Sequence, residues 1–453
     1  MRRKFFLFFL TFVPVIMLVL VIPHSDISAS TDPFPEYTCI QPNVAFWKKI
    51  YTEYTSLEAV LHDREDLSII YGVIELLDPN EHRARRINRS RIKKAKNEYK
   101  AILRKLARGE LPSTSKESDI VDLFGSDASI ATFREAMRNV RCQVGQKDRF
   151  REGIIRSGAY LDQIKEVFSS HGLPVDLVYL PHVESSFNPK AYSKFGASGI
   201  WQITRTTGRR FLTISYTVDE RMDPISSSKG AALLLKSHYE KLQNWPMAIT
   251  AYNHGIFGML RAKKLKGNYE RIFQEYKSRI FKFASRNFYS EFLAARDVAK
   301  HYQKYYGDLT LDSPPATQEV VLPGYVSLKE LAEHFNSDKD VLKNLNPSLR
   351  EPVCLGQKYV PKGYALSIPV DLASSSFDSV STLPPDMVKP HQKPSEFYRV
   401  QRGDTASVVA EMHGISLRDL IIANDLNSRA TIYAGEILRL PLPRSKTDPM
   451  AEL

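Results

Sequence analysis

Beyond Pro314 the chain changes texture, and that change limits the folds open to it. From about residue 150 to 305, apolar residues recur at three- and four-residue steps, the period of helices with one buried stripe. No convincing alternating strands interrupt this stretch, so 150–312 is expected to be an all-α domain. Downstream, two segments, 319–370 and 397–443, each read strand, helix, Asn-containing turn, helix, strand. Each closes on a glycine followed by a short apolar run and proline: Gly356 to Val360-Pro361, then Gly435 to Leu440-Pro441. They form a diverged internal repeat. Between them a Ser-, Pro- and Asp-rich stretch without apolar periodicity marks a flexible linker over 371–395. The 453 residues leave room for two to four domains.

The N-terminus carries a second kind of signal. Arg2, Arg3 and Lys4 precede an uncharged run over 5–22, and small residues follow at Ser25, Ser28, Ala29 and Ser30. This is the layout of a signal peptide, or of an uncleaved signal anchor, over 1–30; a buried helix is the plainer alternative. No cysteine follows the apolar run, so no lipid attachment is expected. The net charge of +12 and pI near 9.3 favour an anionic partner: nucleic acid, acidic phospholipid or an anionic wall polymer. Export argues against nucleic acid. Three cysteines lack any metal spacing. In an oxidising compartment one pair can bridge, and Cys39 with Cys142 is the expected pair.

Residues 31–149 read as an N-terminal helical region. Ile92, Ala95, Tyr99, Ile102, Leu103 and Leu106 mark one helix face, and the basic run 83–105 fills the others. That run is a solvated face or, less simply, a contact for an anionic polymer. Gly109 and Pro112 end the helix, and 113–118 is expected to be a surface loop.

Three segments carry chemistry. In the first, Pro174 suits a helix's first turn, Asn188-Pro189 is expected to stop the helix, and Leu177, Leu180 and Glu184 share a face. A carboxyl on an apolar face is desolvated, which raises its pKa towards that of a working general acid; a helix-end glutamate reaching water is the plainer reading. In the second, Gly199-Ile200-Trp201-Gln202 sets an aromatic ring and an amide beside a glycine that allows close ligand approach. Trp201 would stack on a sugar face and Gln202 would bond hydroxyl or acetamido groups; an ordinary turn is the alternative. In the third, Asn244 caps a helix that Gly255 stops, placing Tyr252 and Asn253 at its C-terminal end.

In this order and spacing, Glu184-Ser185, Gly199-Ile200-Trp201-Gln202 and Ala251-Tyr252-Asn253 resemble the lytic transglycosylases with a goose-lysozyme-like fold. The likeness extends through 174–189, 218–224 and 285–295, and is greatest to the membrane-bound murein transglycosylase D group, which joins such a domain to LysM modules. Independently, Tyr398, Val400, Gly403-Asp404-Thr405, Leu420, Asn424 and Leu438 make 396–444 similar to LysM, a βααβ module that binds N-acetylglucosamine-containing glycans. The upstream segment 318–370 keeps Leu328, Leu331, Leu345-Asn346-Pro347 and Gly356 but lacks Gly-Asp-Thr, so a packing or spacer role is as reasonable as glycan binding. The fold expected is therefore multidomain: a mainly α lysozyme-like catalytic domain after the N-terminal helical region, then small α+β LysM modules, with a tail at 445–453.

The resemblance implies cleavage of the peptidoglycan bond between N-acetylmuramic acid and N-acetylglucosamine, with Glu184 as the single acid and base and a 1,6-anhydromuramoyl product. Ser185 and Gln202 would contact glycan, Tyr252 would hydrogen-bond Glu184, and Asn253 would hold the acetamido group. Trp201 and Tyr289 are further substrate-contact candidates, while Gly403, Asp404, Thr405 and Asn424 would serve LysM glycan binding. Asp219, Glu220 and Asp223 look structural. No metal or cofactor is implied; the partner is peptidoglycan strands, and the location the periplasm of a Gram-negative bacterium, anchored to the inner membrane if the N-terminal segment persists. A hydrolytic muramidase, signalled by a second carboxylate in the cleft, and an inactive wall-binding scaffold are the alternatives.

Overall fold

The computed structural model describes residues 32–193, 195–370, 383–393, 397–427 and 429–441. The expected export segment at 1–30 and the tail at 445–453 lie outside the described residues. Among the described residues no helix is long and apolar enough to cross a membrane.

The chain opens with α1 (Gln41–Thr52), then β1 (Glu58–Asp63) and β2 (Ile70–Glu75). Next come α2 (Ala84–Leu106), α3 (Ser115–Phe124), α4 (Ile130–Asn139) and β3 (Val140–Val144). The strands form an antiparallel sheet in the order β2-β1-β3. This corrects the all-helical reading of 31–149. In β1, Ala59, Val60 and Leu61 are fully buried between the flanking strands, and a short apolar run of that kind has no period that separates strand from helix. Helix α2 follows expectation, burying Ala95, Tyr99, Leu103 and Leu106 on one face. It covers the sheet together with α4, whose Phe133 and Ala136 join the same cluster.

The main body runs through α5 (Lys147–Ser157), α6 (Leu161–Ser170), a 3-10 turn (Val175–Tyr179), α7 (Leu180–Ser185) and α8 (Arg205–Gly208). It continues with α9 (Pro224–Leu242), α10 (Trp245–His254), α11 (Ile256–Lys266), α12 (Tyr269–Glu275), α13 (Phe283–Lys300) and α14 (Tyr302–Tyr306). One hydrophobic core holds them together, and α1 belongs to it: Val44, Phe46, Trp47, Ile50 and Tyr51 pack there with Phe150, Phe168, Trp201 and Phe292. A buried amide pair, Asn43 Nδ2 donating to Asn287 Oδ1 at 2.7 Å, pins α1 to α13. Without a partner in so dry a seam, either amide would be costly.

Two strand–helix–helix–strand units follow. The first is β4 (Thr317–Val321), α15 (Leu328–His334), α16 (Lys339–Leu345), a one-turn α17 (Glu351–Cys354) and β5 (Ala365–Pro369). The second is β6 (Phe397–Arg399), α18 (Ala406–Met412), α19 (Leu417–Ala423) and β7 (Ile437–Arg439). Each closes an antiparallel strand pair, β4-β5 and β6-β7. The fold class read from the sequence, a mainly α body followed by small α+β units, is the class observed. Eleven described residues of the expected linker depart from that reading. Residues 383–393 strap the first unit: Met387 and Val388 pack on its core, and Lys389 N donates to Tyr325 O at 2.8 Å. The two apolar side chains explain the departure, since a purely polar linker would have nothing to bury.

All three cysteines are free, which overturns the expected Cys39–Cys142 bridge. Cys39 packs against the main core and Cys142 against the sheet cluster.

Candidate active site

Glu184 lies in the last turn of α7, which is short because the chain turns left-handed immediately after it. Ser186 and Phe187 take φ of 51° and 52°, so the helix ends before the expected stop at Asn188-Pro189. Helix α5 supports the turn. Arg156 Nη2 donates to Ser186 O at 2.8 Å, and Gly153 packs so close that a Cβ there would sit 2.8 Å from the same carbonyl. Beneath lies His182, 1% exposed and stacked on Phe150 at 4.9 Å. Burial pushes its imidazole down to about 3, so it is neutral.

The Glu184 side chain is half-buried and forms no ion pair among the described residues. Burial, followed by repulsion from Glu291, lifts its carboxyl to about 8. Glu291, on α13, is lifted to about 8 by its own burial, with Arg141 pulling the other way. The sequence reading missed Glu291. Its signal was a carboxylate inside an otherwise apolar helical stretch, Phe288 to Ala295, where a charge is rarely buried without a reason.

The loop carrying Gln202 is held from below by Arg221, a guanidinium only 1% exposed. It forms a two-pronged pair with Asp219, at 2.9 and 2.7 Å, and donates to Gly196 O and Ile203 O. Gly199 must be glycine: φ is +74° and a Cβ would collide with the Arg221 carbonyl. Glu220 accepts from Thr213 N, and Asp223 caps α9 by accepting from Ser226 N at 2.6 Å. All three acidic residues of this stretch thus have internal partners.

The expected site residues divide. Ser185, Gln202, Tyr252 and Asn253 all reach solvent in part and gather around the end of α7 and the end of α10. Ser185 Oγ donates to Ile200 O at 2.8 Å and Gln202 Nε2 to Gly199 O at 2.9 Å, which ties α7 to the loop. The Tyr252 hydroxyl donates to Trp201 O at 2.7 Å and not to Glu184, correcting that expectation. Burial, then the nearby Glu184, drive its pKa well up, so it stays protonated. Asn253 Oδ1 accepts from Ser285 Oγ at 2.9 Å.

Two expected contacts are absent. Trp201 is fully buried, stacked on Phe168 at 5.4 Å, with Nε1 donating to Ser228 Oγ at 2.7 Å. Its ring has no face for a sugar. Tyr289 is fully buried as well and donates to Pro35 O at 3.0 Å. Both ring systems serve the core, the usual fate of a large apolar surface whose polar tip finds an internal acceptor.

In the second unit the Gly-Asp-Thr turn faces the main body. Gly403 packs against the ring of Tyr192, whose hydroxyl donates to Arg402 O. The Asp404 side chain is fully enclosed. Arg205 lies 3.1 Å and Arg350 3.6 Å from Oδ1, while Tyr398 and Gln401 N donate to Oδ2. Thr405 caps α18, accepting from Val408 N at 3.3 Å. Asn424 Nδ2 donates to Leu420 O and Arg439 O, and its Oδ1 accepts from Arg439 N at 2.6 Å.

Comparison with known proteins adds family to this geometry. Residues 167–274 match the Transglycosylase SLT domain model and residues 398–441 the LysM domain model. The first match takes in Glu184, Gln202, Tyr252 and Asn253 and stops short of Glu291. Membrane-bound lytic murein transglycosylase D of Escherichia coli (strain K12) is 29% identical over 286 residues, covering 60% of this chain and 62% of that protein, so the chain spans less than two thirds of that relative. Membrane-bound lytic murein transglycosylase F of Yersinia pestis (strain Pestoides F) is 31% identical over 119 residues, 24% of this chain and 23% of that protein. The soluble lytic transglycosylase SLT70 of Escherichia coli aligns at a TM-score of 0.28 and 16% identity, over 50% of this chain and 46% of that one, too distant to inform the geometry. The chain therefore carries a transglycosylase SLT domain, with Glu184 inside it, and a C-terminal LysM domain.

Proposed function

We propose that this protein is a peptidoglycan lytic transglycosylase in which Glu184 is the single acid and base. The observation that carries the reading is the state of that carboxyl: half-buried, without a cation among the described residues, raised to about 8 and so protonated at neutral pH. In the first step Glu184 gives its proton to the glycosidic oxygen between N-acetylmuramic acid and N-acetylglucosamine as the bond to C1 breaks. In the second, the carboxylate takes the proton of the muramoyl C6 hydroxyl while that oxygen bonds to C1. The product is a 1,6-anhydromuramoyl end, and no water is consumed. Gln202 and Asn253 bind glycan in this reading, and Tyr252 positions the loop beneath it through Trp201 O. The LysM domain holds the enzyme on its polymer. The uncharged run at 5–22 exports the protein to the periplasm and, if retained, anchors it to the inner membrane.

Glu291 favours a second reading. A second carboxyl in the electrostatic neighbourhood of Glu184 is the feature a hydrolase needs to activate water, giving a muramidase on the same fold once Glu291, raised to about 8 and protonated at neutral pH, is ionised. Mass spectrometry of sugars released from purified peptidoglycan separates the two. Products one water lighter than hydrolytic muropeptides, absent with Glu184→Gln, are the expected result. Hydrated ends that vanish with Glu291→Gln would instead make this a muramidase. No release by the wild type, with binding retained, would leave a wall-binding scaffold.

A further inference from the structure

Away from Glu184, a cavity of about 390 Å³ opens where the N-terminal sheet meets the main body. Arg64 and Arg141 line it from the sheet side, and Lys277, Lys282 and Arg286 from around the start of α13. Glu65 is the one carboxylate in its wall and is already engaged, by Arg64 at 3.1 Å and by Arg286. Five cations therefore share a cleft with one occupied anion.

The two central guanidiniums have donors to spare. Arg141 lies over the Phe283 ring at 3.8 Å, forms no ion pair among the described residues, and has a buried Nε without a hydrogen-bond partner. Arg286 lies over the Phe273 ring at 4.7 Å, and its Nε is likewise buried and unpartnered. A guanidinium carries five N–H donors in a planar fork, more than a ring contact uses, and that fork matches a carboxylate. The cavity is linked to an expected glycan-binding residue through α13. Ser285, next to Arg286 in the first turn of α13, is the residue that donates to Asn253.

We propose that this cavity is a subsite for the carboxylates of the peptide stem borne by the muramic acid unit, with Arg141 as its principal ligand. The proposal rests on the peptidoglycan reading above, and gives the N-terminal sheet a part in substrate selection. The test uses the full chain and two substrates: glycan strands with peptide stems, and strands stripped of them by an amidase. Arg141→Met keeps an apolar contact on Phe283 without the charge; Lys282→Gln alters an exposed side chain and leaves packing untouched. On stemmed strands Arg141→Met is expected to lower kcat/KM about tenfold and Lys282→Gln about threefold, with less than a twofold change on stripped strands. Equal losses on both substrates, or none on stemmed strands, would overturn the subsite. Should the wild type cleave neither substrate, the enzymatic reading fails, and calorimetry on Glu184→Gln decides the subsite separately. Tighter binding of stemmed than stripped oligosaccharides, abolished by Arg141→Met, supports it; equal affinity rejects it.

Discussion

The main body and its joint with the second βααβ unit each enclose a carboxylate, and they treat it in opposite ways. Among the described residues Glu184 has no cation against it; it lies in the field of a second carboxyl and is held near 8. Asp404 is more deeply enclosed yet faces two guanidiniums, a tyrosine hydroxyl and a backbone N–H. The first arrangement leaves a proton poised to move; the second locks a charge into a joint. Burial alone therefore does not decide how a carboxyl behaves. The sign and number of its neighbours do.

Four experiments bear on that contrast. The largest expected effect is on chemistry: Glu184→Gln should lower turnover of purified peptidoglycan about 10²–10⁴-fold while the circular dichroism spectrum stays that of the wild type. A variant that keeps a tenth of the activity would move the acid elsewhere. At the joint, Asp404→Ala leaves Arg205 and Arg350 facing each other without an anion. It should destabilise the second unit's docking by about 3 kcal/mol, seen by calorimetry as an early, separate transition. An unchanged melting profile would mean that the joint rests on Tyr216, Tyr398 and His413 packing instead.

The two βααβ units sharpen the same point, because they share one device. Asn346 donates to Leu342 O and Ser367 O and accepts from Ser367 N, as Asn424 does with Leu420, Arg439 O and Arg439 N. Asn346 is only 2% exposed, whereas Asn424 is half-buried. Replacement by alanine should thus cost about 2–3 kcal/mol in the first unit and about 1 kcal/mol in the second, read by urea titration. Equal losses would show that exposure does not govern this amide.

A pH-dependent effect on stability follows from linkage. A carboxyl raised from 4.5 to about 8 stays protonated in the folded state while it ionises in the unfolded chain. Its contribution therefore turns unfavourable as pH rises from about 4.5 towards 8. Glu184→Gln should be more stable than the wild type by about 3–5 kcal/mol at pH 8, with the difference vanishing below pH 4. A constant difference across that range would show that ionisation of Glu184 is not its source.

Much of the scaffold around the site was legible. The Asn244 cap, accepting from Met247 N at 3.0 Å, and the Gly255 stop of α10 were read from local chemistry and are in place. So are the repeated strand–helix–helix–strand units and the structural use of Asp219, Glu220 and Asp223. The cap, the stop and the partners of these acidic residues lie within a few positions along the chain, and each βααβ unit repeats one pattern of apolar residues and turns. The sheet formed by β1, β2 and β3 escaped notice because β3 reaches β1 from some eighty positions away, and short apolar strands carry no period of their own.

The sequence alone determined the order of the motifs, the cap and stop of the helix that presents Tyr252 and Asn253, and the doubling of the C-terminal unit, since each shows as a local pattern of residue types along the chain. Only the tertiary structure decided which aromatics face inward and which charges meet. Trp201 and Tyr289 were lost to the core, Glu291 was brought into the field of Glu184, and Asp404 was seated between Arg205 and Arg350. Those outcomes depend on burial and on electrostatic partners distant in sequence, and neither exists until the chain has packed.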